Sequence, residues 1–292
     1  MTAVAQTAHS GKAPYYYVPP QSVHPIRGSL CMLATLLGAA LWVNGYAAGP
    51  WLCIAGILCM FVVLFCWFGD AIRESEGGMN SQRIDHSYRW SMTWFIFSEV
   101  MFFSAFFGSL WYTRDVSTPW LSTLDSQTWL WPNFAGTWPN FGPAGTVAPF
   151  KSVGPFWLPT INTALLLTSG LTLTIAHHAL RAAHRQKAIL WMVATVLLGF
   201  AFVACQAYEY HHAYTELNLR FTSGAFGALF YMLTGFHGFH VILGATMLTV
   251  ILFRLVRGHF TPESHFGFEG AAWYWHFVDV VWLGLYIFVY WM

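Results

Sequence analysis

Long apolar runs alternate along this chain with short segments that hold nearly all of its charges. A helix that crosses a bilayer needs about 20 mostly apolar residues, so runs of that size set the count of elements. No formal charge occurs between Arg27 and Asp70, a run too long for one crossing. Gly49-Pro50 divides it, because proline breaks a helix interior and glycine favours turns, which predicts two spans, 28–48 and 51–69. A third span covers 90–113 and holds one charge, Glu99. The fourth covers 156–180, the fifth 188–208, and the sixth lies within the charge-free stretch 221–253. The seventh runs over 270–292 with one charge, Asp279. The pattern predicts an all-α polytopic membrane protein with seven transmembrane helices. Its divisions are an N-terminal segment 1–27, a helix pair 28–69, a loop 70–89, and the remaining five helices in 90–292.

Composition closes off the other classes. Charged residues make up 9% of the 292, against about 25% in an ordinary soluble domain, too few for a water-facing shell. Hydrophobic residues at 57% and aromatic residues at 19% exclude a disordered chain. A net charge of +1 gives no basic excess for nucleic acid. Lys and Arg also orient the spans. Lys12, Arg27, Arg73, Arg83, Arg89, Arg181, Arg185, Lys187, Arg254 and Arg257 fall on one side, and Arg114, Lys151 and Arg220 on the other. The positive-inside bias places the N-terminus in the cytoplasm and the C-terminus outside. The polar N-terminal segment lacks the apolar core of a signal peptide, so the first span is expected to act as its own insertion signal. The loop 114–155 is then extracytoplasmic. It is rich in Trp and Pro (Trp120, Trp129, Trp131, Trp138, Pro119, Pro132, Pro139, Pro143) and reads as a segment that docks on a partner or lies on the membrane surface. Cys31, Cys53, Cys59, Cys66 and Cys205 all sit in apolar runs without a C-x-x-C pattern, and read as small buried apolar residues.

Ionisable groups inside spans cost a few kcal/mol on insertion scales, about 2.5–3.5 for the most costly, so each one needs a reason. Glu99 lies nine residues into the third span with no Lys or Arg beside it. It reads either as a proton-linked or partner-contacting carboxylate, or as a neutral acid hydrogen-bonded to a neighbouring helix. His237 and His240 share a face of the sixth helix, and His276 stands three residues before Asp279 on the seventh. With His177 and His178 they could in principle ligate haem or a metal, but the Gly-rich surroundings favour hydrogen bonds across closely packed helices. His276 and Asp279 are expected to form a local hydrogen bond. The run Ala272-Trp-Tyr-Trp-His-Phe-Val-Asp-Val-Val-Trp282 is unlike lipid-facing sequence and predicts a seventh helix packed on protein. At the cytoplasmic rim, Arg73 and Arg254 have the donor geometry for phospholipid headgroups. Nucleotide-binding loops, nucleophile–base patterns and the paired broken helices of secondary transporters are all missing from the sequence.

Several stretches resemble subunit III of the haem–copper cytochrome c oxidases. They are Asp70-Ala-Ile-Arg-Glu-Ser75, Phe95-Ile-Phe-Ser-Glu-Val-Met-Phe-Phe103, Ala176-His-His-Ala-Leu180, Gln206-Ala-Tyr-Glu209, Thr234-Gly-Phe-His-Gly-Phe-His-Val241 and Gly267-Phe-Glu-Gly-Ala-Ala-Trp-Tyr-Trp-His-Phe-Val-Asp-Val-Val-Trp282. The resemblance implies a pair of helices and a group of five around a cleft that holds phospholipid. It implies a non-catalytic subunit of a proton-pumping oxidase that packs on subunit I, with subunit II as a further partner. Haems and copper would belong to those partners, and this chain would hold no cofactor of its own beyond bound phospholipid. Glu99 would be the family's intramembrane carboxylate. Trp67, Arg73, Glu74 and Arg254 would line the lipid site, with His237, His240, His276 and Asp279 in polar helix packing. A small fourth subunit, or a cytochrome bc complex in a supercomplex, would be further partners. Relatives often have His-Thr-Pro where this chain has Asn80-Ser81-Gln82, and the outer loop looks longer than in mitochondrial relatives, which points to a bacterial inner membrane. The mitochondrial inner membrane is the alternative. Two other readings stand beside this one: a haem-bearing electron-transfer protein, and a proton-coupled transporter centred on Glu99.

Overall fold

A computed structural model describes residues 21–80, 82–123 and 129–291. Most of the N-terminal segment, with Lys12, lies outside the described residues, as do Ser81 and 124–128 of the outer loop. The described residues form helices and no strands, and seven helices are long and apolar enough to cross a membrane. These are α1 (His24–Val43), α2 (Gly49–Glu76), α3 (Gln82–Trp111), α4 (Leu158–Arg181), α5 (Arg185–Thr215), α6 (Gly224–Arg257) and α7 (Phe266–Leu285). The protein is an all-α, multi-pass membrane protein.

The helix ends differ from the sequence expectation in an instructive way. Gly49-Pro50 is not the turn of the first hairpin but the start of α2, where proline costs nothing because the first N–H groups of a helix have no partner within it. The turn lies at 44–48, where Gly45 adopts φ +81°, open to glycine at no steric cost. Segment 70–89 is mostly helical. Asp70–Glu76 prolong α2, and Arg83, Asp85 and Arg89 lie on the first turns of α3. At its other end α3 continues through a wider π-helical turn, Tyr112–Ser117, into one further turn, Thr118–Leu121. Backbone hydrogen bonds propagate past the apolar run into water-facing residues, so hydropathy underestimates helix length.

The chain forms two compact units, one reaching to Tyr88 and one starting at Arg89. In the first, α1 and α2 pack with their backbones in contact. A Cβ on Gly38 would strike the backbone of Cys53, and one on Gly56 would strike Thr35. Small residues let helices approach where lipid removes the usual hydrophobic drive. The outer faces of the pair are apolar, with Leu33, Leu36, Phe61, Phe65 and Phe68 exposed. Cys59 and Cys66 are exposed too and only Cys53 is buried, which corrects the expectation of five buried cysteines.

In the second unit α7 is the most deeply packed element, as its aromatic sequence predicts. Tyr274, Trp275 and Trp282 are fully buried, and the Trp275 ring lies against α5 and α6 at Gly199 and Gly244. Both indoles find acceptors on α4. Trp275 Nε1–H donates to Ser169 Oγ and Trp282 Nε1–H to Thr163 Oγ1, each at 2.9 Å. The second half of the outer loop folds back on the bundle. Lys151 N–H donates to the Leu217 carbonyl at 2.9 Å, and Phe150 stacks on Phe226. Trp120 and Trp129 remain exposed.

Gly38→Leu is expected to open the α1–α2 contact at a cost of about 1–3 kcal/mol, as for other overpacked cores. Thermal unfolding of the detergent-purified protein checks it; an unchanged midpoint would show that the backbones need not touch.

Candidate functional site

Glu99 sits midway along α3 and faces α6. Its Oε2 lies 3.0 Å from His240 Nε2, and the other ring nitrogen of His240 donates to the Phe236 carbonyl at 2.6 Å. That second bond restricts the first. With Nδ1–H committed to a carbonyl, a neutral His240 has only a lone pair at Nε2, so the carboxyl must donate; a cationic His240 would instead donate to a carboxylate. Either way one proton is shared and the pair is neutral as a whole, which is how two ionisable groups fit at this depth. Phe102, Phe103 and Tyr274 surround the imidazole. The sequence singled out both residues but not their contact, which joins positions 141 residues apart.

His237, three residues earlier, points into the core. It is fully buried, and its Nε2–H donates to the Val278 carbonyl of α7 at 3.2 Å between the rings of Phe202 and Trp282. His276 Nδ1 and Asp279 Oδ2 face each other at 3.6 Å, a loose form of the expected local contact. His276 Nε2–H reaches Thr174 Oγ1 on α4 at 3.4 Å, since the Thr174 hydroxyl is committed to the Gly170 carbonyl. Asp279 presses against Gly170, where a Cβ would collide with it. His177 stacks on Phe268 and meets the His265 ring edge-on. Among the described residues no group of three or more His, Cys, Asp or Glu could hold a metal ion.

The charged rim divides between the two units. In the first, Asp70 accepts from His24 Nε2–H at 2.6 Å and from Arg73 Nη2–H at 2.5 Å, and Trp67 stacks on the His24 ring. Glu74 is half-buried one residue beyond Arg73. The Arg73 side chain is largely exposed, with room for a further acceptor. In the second unit Arg89 donates through both Nε–H and Nη2–H to one oxygen of Glu269, at 3.0 and 2.8 Å, tying α3 to α7. Arg254 lies over the Phe260 ring at 4.5 Å. Arg185 caps the end of α6 by donating to the Leu255 and Val256 carbonyls.

One group escaped the sequence reading. Glu209 is buried in α5, and Tyr290 O–H donates to its Oε1 at 2.5 Å, while Tyr210 pairs with Thr234 on α6 at 2.7 Å. Ending the fifth span at Tyr208 placed Glu209 in a loop. The signal was the helical spacing of Phe202, Gln206, Glu209 and Ala213, all buried on one face.

Residues 13–292 match the family described as cytochrome c oxidase subunit III. The chain is 40% identical over 289 residues to cytochrome c oxidase subunit 3 of Coturnix japonica, covering 99% of each chain. It is 40% identical over 285 residues to that of Carassius auratus, and 41% over 285 residues to that of Squalus acanthias, each covering 97% of this chain and 98% of the relative.

Glu99→Gln is expected to keep the fold, because the amide N–H can donate to His240 Nε2 as a protonated acid would. Glu99→Leu leaves that nitrogen unpaired and is expected to cost about 1–3 kcal/mol. Thermal unfolding of both variants checks this; equal midpoints would show that the pair is not what joins α3 to α6.

Proposed function

The chain belongs to the cytochrome c oxidase subunit III family, and from that we propose that it is a non-catalytic subunit of a proton-pumping oxidase in an aerobic respiratory chain. The observation that carries this reading is the match over almost the whole chain, from residue 13 to 292. In this reading the oxidase reduces oxygen to water, and the haem and copper centres reside in subunits I and II. This chain packs on subunit I, stabilises it and supports proton uptake. A small fourth subunit or a cytochrome bc complex would join further out.

Phospholipid is the one bound group the reading assigns to this chain. The residues present fit a phosphodiester headgroup. Arg73 ends α2 with an exposed guanidinium held by Asp70 on one side only, and a planar guanidinium matches two phosphate oxygens. Trp67 adds an exposed aromatic surface, with Glu74 about two turns of helix further along. Separately, Arg254 in the last turn of α6 offers a guanidinium to a headgroup of its own, beside the Phe260 ring. Neutral Glu99–His240 lets α3 and α6 pack without a net charge at mid-bilayer.

Two alternatives lose support from the geometry. For a haem protein, a ligating histidine needs a ring nitrogen facing the iron, yet both nitrogens of His240 are engaged and the His237 ring is packed between Phe202 and Trp282 in the helix core. For a transporter centred on Glu99, the carboxyl would need to exchange partners, whereas its partner His240 is held by the Phe236 carbonyl and by the rings of Phe103 and Tyr274. The distribution of Lys and Arg supports an N-terminus on the cytoplasmic side and a C-terminus outside, in a bacterial inner membrane or, as the alternative, with the N-terminus in the matrix of a mitochondrion.

The test is affinity purification through a tag on this chain from membranes. Haem-containing oxidase activity should follow the tag, and the separated chain should show no Soret absorption; a Soret band on the chain itself would overturn the reading. Replacing both Arg73 and Arg254 by Ala is expected to lower co-purified phospholipid and to shorten the turnover lifetime of the oxidase. Unchanged lipid content and lifetime would remove these two residues from lipid binding.

A further inference from the structure

Helices α4 to α7 meet around a tryptophan at two depths, and the two layers are finished differently. In the first layer the Trp275 ring lies against Gly199 and Gly244, and its indole donates to Ser169. Beside it the hydroxyls of Thr172 and Thr195 pair at 2.8 Å. Successive helices run in opposite directions. Two turns toward the end of α7 is therefore about seven residues forward along α5 and α7, and about seven back along α4 and α6. Those steps lead from Ser169, Gly199, Gly244 and Trp275 to Asn162, Gln206, His237 and Trp282. The contacts agree. The Trp282 ring meets His237 at 5.2 Å and Phe202, one turn before Gln206, at 4.8 Å. Its indole donates to Thr163, next to Asn162.

The second layer holds polar atoms that the protein does not answer. Asn162 and His237 are fully buried, and Glu209 and Gln206 are 1% and 6% exposed. Yet both amide atoms of Asn162, both of Gln206, His237 Nδ1 and Glu209 Oε2 have no hydrogen-bond partner among the described residues. Gln206 stands near the hydroxyls of Tyr210 and Tyr290 without bonding either. Those hydroxyls are committed to Thr234 and Glu209. The Tyr290 ring in turn meets Trp282 at 5.8 Å, which keeps Glu209 with the layer. Buried polar groups are nearly always paired, so a cluster of unpaired ones calls for a partner.

The kinds of atom decide which partner. His237 Nε2–H is spent on the Val278 carbonyl, so its Nδ1 is a lone pair. Asn162 Oδ1 and Gln206 Oε1 also accept, while the two amide nitrogens donate. A cation would answer the acceptors alone and leave both amide NH2 groups unmet. An anion would answer the donors alone and face the Glu209 carboxyl. Water donates and accepts, and a buried water makes about three hydrogen bonds.

We propose that this layer is a water-binding site, in which ordered water molecules bridge Asn162 of α4 and Gln206 of α5 and reach His237 and Glu209. Hydrocarbon supplies no water, so the bundle itself retains it. The core is then dry at Trp275 and hydrated at Trp282. The site belongs to this chain alone and stands whatever complex the chain joins.

The test is X-ray radiolytic footprinting of the tag-purified protein in its native complex, in water enriched in heavy oxygen. Hydroxyl radicals react close to where they form, so a buried ring gains heavy oxygen only beside bound water. Trp275 and Trp282 are the matched pair, both fully buried. Label located by tandem mass spectrometry is expected on Trp282 at about five times the level on Trp275 or more. Asn162→Leu together with Gln206→Met keeps bulk and removes both amides; it is expected to bring Trp282 down to the level of Trp275. Equal label on the two rings of the native chain would overturn the proposal. So would label on Trp282 that the double variant leaves unchanged, because other groups would then hold the water. Should the double variant fail to fold, the comparison of the two rings in the native chain decides the matter.

Discussion

Inside a bilayer no water is available to complete a hydrogen bond, so a polar group in a span gains most when another part of the protein answers it. That preference explains which helices meet and where. Glu99 and His240 share a proton and bring α3 to α6. The two indoles of α7 donate to hydroxyls of α4, and the His237 ring donates back to the backbone of α7. Apolar side chains fill the space between these contacts, but they do not choose partners in hydrocarbon, where a leucine gains as much from lipid as from a neighbouring helix. The polar contacts supply the choice.

The two units solve the packing problem differently. The α1–α2 pair has its one polar cluster at the rim, His24, Asp70 and Arg73, and relies on backbone contact at small residues through the hydrocarbon. The second unit uses aromatic rings as both filler and donor. Buried tryptophan and tyrosine cover large areas while each keeps one polar atom to aim, which suits a core that must be close-packed and specific at once. The sequence Trp273-Tyr-Trp-His-Phe277 gathers two tryptophans, a tyrosine and a histidine within five residues.

The number of spans was legible because it depends on the lengths of uncharged runs, a property of neighbouring residues. The ends were not, because a helix continues for as long as its backbone bonds do, and at both rims they run on through Arg83, Asp85 and Arg89 or through Glu209 and His212. Glu99, His240, His276 and Asp279 could be singled out by cost alone, since polar residues stand out in apolar runs. Their partners could not. Arg89 and Glu269 lie 180 residues apart, and nothing local to either marks the other. Gly49-Pro50 misled for a related reason: proline reads as a break, but at the head of a helix it is a beginning.

The central place of α7 has a consequence for how the protein is made. α7 follows the other six helices along the chain, so α4, α5 and α6 reach the membrane before it does. Until it arrives, the hydroxyls of Thr163 and Ser169 and the ring of His237 lack the indoles and the carbonyl that answer them. The half-made bundle therefore holds an open slot whose two hydroxyls are turned back to carbonyls of α4 and whose His237 ring has no carbonyl to meet, a form that membrane quality control can recognise. Insertion of the last span closes the slot in a single event. Truncation or slow synthesis near the C-terminus would accordingly harm maturation far more than the same defect in the α1–α2 hairpin.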